Sequence, residues 1–190
     1  MKKMFFVVLC ITLALNSYAF GNLYQLTADV NGKLEIDGAV DQDVKSGFSL
    51  TSEFPLLKLK GFDIGIGTEY QFDRDLSNSA GNFRFWNKYI TIKKPLFKTK
   101  MHAMTPVLKL GVASVESSNL TFGKLDEKGL FYALGIRYSL GNLAYAEITM
   151  SVNEAEIAGT SNDVKYKKLN FTYGTKFDGL AKTKKQIDSF

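Results

Sequence analysis

Residues 62–72 read FDIGIGTEYQF, and their side chains alternate between two kinds. One set is apolar or aromatic apart from one threonine, and it comprises Phe62, Ile64, Ile66, Thr68, Tyr70 and Phe72. The other set is glycine or polar, and it comprises Asp63, Gly65, Gly67, Glu69 and Gln71. Successive side chains of a β-strand point to opposite faces, so this stretch is predicted to be a strand with one apolar and one polar face.

The same period of two recurs along the rest of the chain, where helical spacing is nearly absent. It predicts eight strands, near residues 33–40, 47–57, 61–72, 84–95, 104–115, 129–140, 143–153 and 165–177. Each has about the nine to eleven residues that a tilted strand needs to cross a bilayer. Residues 23–30 also alternate, which leaves two alternatives: a short extra strand before a turn at Asn31-Gly32, or one long first strand with a bulge at Gly32. The even strand number of membrane barrels favours eight.

The connections between these strands alternate in length. Long polar segments follow the third, fifth and seventh strands, at residues 73–83, 116–128 and 154–164. Short turns follow the second, fourth and sixth strands, around residues 58–60, 96–103 and 141–142, and only the first outer loop, residues 41–46, is brief. Short turns at one end and long loops at the other are typical of a membrane barrel, with the turns on the periplasmic side.

The first nineteen residues have the layout of a secretory signal peptide. Lys2 and Lys3 make the N-terminus positive, and residues 5–15 (FFVVLCITLAL) form an apolar run. Ser17-Tyr18-Ala19 follows, with small residues at the two positions that a signal peptidase recognises. The run is too short for a transmembrane helix, which needs roughly 20 residues. We therefore predict cleavage near Ala19.

Cleavage there would remove residues 1–19 and leave a barrel domain at 20–177 and a short polar tail at 178–190, which we place in the periplasm. The only cysteine, Cys10, would leave with the signal, so no thiol would remain for a disulfide, catalysis or a metal site. No run of 18 apolar residues follows, so no transmembrane helix is predicted. The net charge of +5 does not indicate nucleic-acid binding.

The polar face of the predicted strands carries charges of both signs, which we expect to line the lumen of the barrel. These residues are Glu35, Asp37, Glu53, Asp63, Glu69, Lys109, Arg137, Glu147, Lys168 and Lys176. The lumen of an eight-stranded barrel is just wide enough to be filled by side chains, so glycines would make room and opposite charges would pair. We predict that Glu147 bridges Arg137 on the preceding strand and Lys168 on the following one. Alternation alone also permits a soluble barrel, in which the apolar face would point inward and the charged face would meet water.

The last strand favours the membrane alternative. Its apolar residues Leu169, Phe171, Tyr173 and Phe177 resemble the C-terminal signal of outer-membrane proteins. With the signal peptide, eight strands, alternating loops and charged face, residues 23–177 resemble the small outer-membrane barrels of the OmpA transmembrane-domain and OmpX type. The resemblance implies an all-β, eight-stranded antiparallel up-and-down transmembrane barrel in the bacterial outer membrane. It further implies a monomer that contacts outer-membrane lipid, is inserted by the barrel-assembly machinery and meets surface partners through its loops.

The sequence offers few residues for catalysis. Its one histidine, His102, lies in a predicted periplasmic turn, away from lipid of the outer leaflet. The acids in the outer loops (Asp73, Asp75, Asp126 and Glu127) are typical of solvated loop residues. We therefore predict no catalytic, metal or cofactor site, and a structural or adhesion-like role through the external loops. The alternatives are a soluble periplasmic carrier of a hydrophobic ligand, similar to lipocalins, and a narrow pore.

Overall fold

A computed structural model describes residues 23–77, 81–121, 123–125, 128–141, 144–160 and 162–176. The predicted signal peptide, Phe177 and the tail at 178–190 lie outside these residues. The described strands are β1 (Leu23–Ile36), β2 (Gln42–Val44), β3 (Gly47–Leu59), β4 (Phe62–Gln71), β5 (Arg74–Asp75), β6 (Asn82–Lys93), β7 (Phe97–Lys98), β8 (His102–Ser118), β9 (Lys128–Leu140), β10 (Ala144–Glu156) and β11 (Asp163–Lys176). No helix in this part of the chain is long and apolar enough to cross a membrane, which has no bearing on crossing by strands.

Eight long strands form a closed antiparallel ring in the order β1-β3-β4-β6-β8-β9-β10-β11, and β11 pairs back with β1. The three short strands extend it at its ends: β2 pairs with β1, β5 with β6, and β7 with β8. Closure leaves no free sheet edge, which a strand structure in lipid requires because lipid cannot hydrogen-bond the backbone. The predicted eight-stranded up-and-down barrel is confirmed.

The first strand is one long strand with a bulge, as the second of the two alternatives proposed. The register with β11 shifts between Val30 and Lys33, and Asn31 has a φ of 52°. The predicted bounds 33–40 were wrong, because β1 begins at Leu23 and ends at Ile36. The other seven predicted strands agree with the observed bounds within three residues at each end.

The apolar faces of the strands point away from the lumen. Large exposed apolar side chains occur on all eight long strands and include Leu26, Leu50, Ile66, Ile90, Leu110, Leu134, Met150 and Phe171. In the stretch 62–72, Phe62 and Ile66 are exposed whereas Glu69 and Gln71 are buried. This arrangement is the reverse of a water-soluble barrel and decides between the two alternatives that alternation leaves open.

The two ends of the barrel differ. The loop end carries the four connections after β1, β4, β8 and β10, which we number one to four, and the turn end carries the three connections after β3, β6 and β9. At the loop end, the first connection pairs with the second through Val44 and Leu76, and the third pairs with the fourth through Leu125 and Ile157. Backbone hydrogen bonds of 2.8 Å from Ser77 to Asp43 and from Ala158 to Lys124 strengthen both pairings. Each pair of loops is therefore hydrogen-bonded above the barrel wall.

Candidate functional site

Five charged side chains from five strands meet in the lumen and form what we call the central charge cluster. They are Glu53, Lys93, Lys109, Arg137 and Glu147. Glu147 accepts hydrogen bonds of 2.7 Å from both Lys109 Nζ and Arg137 Nε. Glu53 Oε2 lies 3.0 Å from Arg137 Nη2 and 3.0 Å from Lys93 Nζ. Both carboxylates are 1% exposed, so their charges are compensated by protein cations rather than by water.

Inward tyrosines pack around this cluster. The Arg137 guanidinium lies 3.9 Å from the centroid of the Tyr145 ring, a cation–π geometry, and the Tyr89 hydroxyl donates to Glu53 at 3.4 Å. These rings fit because glycines face them: a Cβ on Gly67 would lie 2.5 Å from the Tyr89 ring, and one on Gly174 would overlap Tyr145. The glycines of the polar face thus make room for aromatic side chains.

A second buried ion pair lies beside the central charge cluster. Lys168 Nζ donates to Glu69 Oε1 at 3.0 Å, and Asn87 donates to the other oxygen of that carboxylate at 3.1 Å. The predicted bridge from Glu147 to Lys168 was therefore wrong, whereas its contact with Arg137 is present. In the observed register Glu147 is opposite Thr172 on β11, four residues from Lys168. That offset is about 13 Å along a strand, too far for an ion pair.

The structure places six of the ten predicted lumen residues in the interior: Glu53, Glu69, Lys109, Arg137, Glu147 and Lys168. Glu35 lies outside, 2.6 Å from Lys167, because the bulge in β1 reverses the faces beyond it. Asp37 is exposed after β1 ends, and Asp63 is half-buried at the turn end, 3.4 Å from Lys58. Lys176 ends β11, and its side chain is outside the described part of the structure.

A buried arginine from the second loop, which the sequence analysis missed, enters the lumen at the loop end. Arg74 is 1% exposed and donates two hydrogen bonds to Asp29, of 3.1 and 2.5 Å. It also donates to the backbone carbonyls of Phe72 and Phe48, at 2.6 and 2.7 Å. Tyr166 donates to the same aspartate at 3.0 Å, so Asp29 is held by two side chains. These bonds attach the second loop to the barrel wall.

Apolar side chains close the lumen above this arginine, and we call them the apolar plug. The plug comprises Leu34, Ile36, Val44, Leu76, Phe83, Phe85, Val115, Leu125, Phe131, Ile157, Val164 and Tyr166. The Tyr166 ring packs edge-on against Phe83, with centroids 5.0 Å apart, and parallel to Phe85, at 6.1 Å. Val44, Leu76, Leu125 and Ile157 come from the loops, so described parts of all four loops contribute to this plug.

One small cavity lies in the interior, lined by polar side chains and by residues of the two ion-pair groups. It measures about 10 Å³ and is lined by Thr27, Thr51, Glu69, Lys109, Thr149 and Asn170 among others. Its volume is room for about one water molecule. This cavity is far too small for a ligand.

The histidine of the chain and three buried carboxylates all have partners in the structure. His102 is exposed at the turn end, where its Nδ1 lies 2.6 Å from the Tyr138 hydroxyl, a contact that the sequence analysis did not anticipate. Glu53, Glu69 and Glu147 are each held by lysine or arginine. No group of three or more metal-ligating side chains occurs among the residues that the structure describes.

Comparison with known proteins gives matches in structure only. No protein-family model and no curated protein matches the sequence. Neisserial surface protein A superposes with a TM-score of 0.55 at 11% identity, over 82% of this chain and 96% of that chain. The attachment invasion locus protein Ail of Yersinia pestis gives 0.49 at 13% identity, over 82% and 99% of the two chains. OprG from Pseudomonas aeruginosa gives 0.47 at 13% identity, over 83% and 96%.

At 11% identity, the match to Neisserial surface protein A shows a shared fold and leaves the activity open. It agrees with the closed ring of eight strands and the outward apolar face. The chain therefore has the fold of the small eight-stranded outer-membrane β-barrels.

Proposed function

We propose that this chain is a non-enzymatic barrel of the bacterial outer membrane that presents its loops to the exterior for a structural or adhesion-like role. The observation that carries the proposal is the combination of an apolar outer wall with a filled lumen. The wall has no favourable partner other than lipid, and the filled lumen leaves the loop end as the surface for interaction.

The form of the loops supports an interaction role. The four connections at the loop end are joined in two pairs by backbone bonds, and each pair contributes side chains to the apolar plug. A surface held in one conformation loses little entropy when it binds a partner. Ordered loops therefore suit recognition better than loops that must fold on binding.

The interior disfavours the two alternatives. A carrier of a hydrophobic ligand needs an apolar cavity of roughly 300–1,000 Å³, whereas the cavity found in the lumen measures about 10 Å³ and is lined largely by polar groups. A pore needs a continuous aqueous path, and the apolar plug crosses that path at the loop end.

Epitope insertion would test the location and orientation of the barrel. Gly159 in the fourth loop and Gly61 in the first turn both have positive φ, of 81° and 85°, and a Cβ on either would meet no atom within 4 Å. We expect an epitope after Gly159 to be stained by antibody on intact cells, and one after Gly61 only on permeabilised cells. Recovery of the protein from the periplasm without detergent would refute the membrane location.

The interaction role needs a separate measurement. Replacing residues 38–40 or 158–160 with Gly-Ser linkers should lower the adherence of expressing cells to cultured epithelial cells. A matched replacement at residues 60–61, at the turn end, should leave adherence at the wild-type level. Equal adherence for all variants would refute the adhesion-like role, and steady conductance across a planar bilayer would instead support the pore.

A further inference from the structure

The outer wall of the barrel carries a groove that crosses β3, β4, β6 and β8. It has a volume of about 590 Å³, and apolar side chains form most of its walls: Phe54, Ile66, Trp86, Ile90, Leu110 and Val112. Its volume lies within the range of roughly 300–1,000 Å³ that small-molecule sites occupy. The groove opens outward, since Trp86 and Val112 are about half exposed, at 49% and 55%.

Hydrogen bonds fix the largest wall of the groove. The indole Nε1 of Trp86 donates to Thr68 Oγ1 at 2.6 Å, and the Thr68 hydroxyl donates to the backbone carbonyl of Asn87 at 3.1 Å. A tryptophan held in this way presents a flat apolar face in a constant position. This wall of the groove is therefore held in place without a ligand.

One cation lies beside this groove without an acidic partner. The Lys88 ammonium lies 4.9 Å from the centroid of the Trp86 ring, and no carboxylate among the described residues is within 4 Å of it. The lysines on the outside of β1 and β11 differ, because each pairs with an acid: Lys33 with Asp41, Lys165 with Glu154 and Lys167 with Glu35.

The charge of Lys88 indicates what occupies the groove. An ammonium on a lipid-facing wall is costly unless it reaches an anion or the headgroup region. The Lys88 ammonium lies over the ring of Trp86, which is its neighbour on the loop-end side of the strand. In lipid, the anion on the loop-end side of an apolar groove is a headgroup phosphate.

We infer that the groove binds an acyl chain of a lipid with an anionic phosphate headgroup, and that Lys88 pairs with that phosphate. The chain would lie along Ile66, Ile90 and Leu110, and the Trp86 face would bound it on the headgroup side. This inference rests on the proposed insertion into the membrane.

The single tryptophan of the chain provides the test, because Trp86 forms a wall of the groove. The protein is reconstituted into phosphatidylcholine vesicles that contain either dibrominated phosphatidylglycerol or dibrominated phosphatidylcholine. Bromine quenches tryptophan fluorescence on contact, so the mole fraction needed for half quenching reports the relative affinity of each lipid for the groove. One lysine near a membrane surface should favour the anionic lipid about fivefold.

Two variants complete the design. Lys88→Gln should abolish the preference for the anionic lipid. The control is Lys167→Gln, which changes an exposed lysine on β11 away from the groove and should leave the preference unchanged. Equal quenching by both lipids in the wild type, or a preference that survives Lys88→Gln, would overturn the inference. Quenching by neither lipid would refute membrane insertion itself, and the inference would fail with it.

Discussion

Neutralising Glu53 would measure how strongly the central charge cluster stabilises the barrel. Its carboxylate oxygens lie 3.0 Å from Arg137 and Lys93 and 3.6 Å from Lys109. In Glu53→Gln, Lys109 and Arg137 would keep one acid, Glu147, whereas Lys93 would lose the carboxylate with which it pairs. Removing one partner of a buried ion pair costs about 3–5 kcal/mol, because the other charge stays buried without compensation. We expect a loss of about 4 kcal/mol or more in the free energy of unfolding, since this carboxylate serves three cations.

Urea unfolding in phosphatidylcholine vesicles, followed by Trp86 fluorescence and by heat-dependent gel migration, would measure this loss. With a slope of about 2 kcal/mol per molar urea, the midpoint should fall by about 2 M. The control is Glu35→Gln, which breaks an exposed pair with Lys167 and should cost about 0–1 kcal/mol. Equal midpoints for the two variants would show that the cluster does not stabilise the fold, and would refute the reasoning.

Three further substitutions test the loop end, the interior packing and the lipid-facing wall. Arg74→Ala would leave Asp29 buried without its cation, so the free energy of unfolding should fall by about 3–5 kcal/mol and added protease should cleave the second loop faster. Gly67→Ala would place a Cβ 2.5 Å from the Tyr89 ring, and the urea midpoint should reveal a loss of about 1–3 kcal/mol; an unchanged midpoint would mean that the ring moves freely. Leu134→Lys would put an ammonium in the middle of an outward face, at a cost of about 2–4 kcal/mol in vesicles. Wild-type stability of this last variant would contradict lipid contact.

Alternation predicted the face of each strand wherever the backbone is regular, because period two is a property of the extended chain itself. In β1 the bulge interrupts the alternation of faces. Glu35 therefore lies outside the barrel, against Lys167, rather than in the lumen. The Asn31-Gly32 pair marks the position of the bulge, but the sequence alone also permits a hairpin turn there.

Contacts within the lumen depend on strand register, which alternation does not supply. Glu147 and Lys168 were predicted to pair because they lie on neighbouring strands, whereas the register places Glu147 opposite Thr172. Nothing in the sequence indicated that Arg74 is buried, since a charged residue in a polar loop is ordinarily solvated. Only the folded barrel brings this loop within reach of Asp29.

The position of the apolar plug follows from the solvent around each part of the barrel. Where the wall faces lipid, apolar side chains gain little from burial in the lumen, because lipid is as apolar as a protein core. The interior there is held by ion pairs and hydrogen bonds, as in the central charge cluster. At the loop end the chain meets water, and burying apolar surface becomes favourable again. Loop residues such as Leu76 and Leu125 are buried at this end, so the same burial that closes the lumen also orders the surface that a partner would meet.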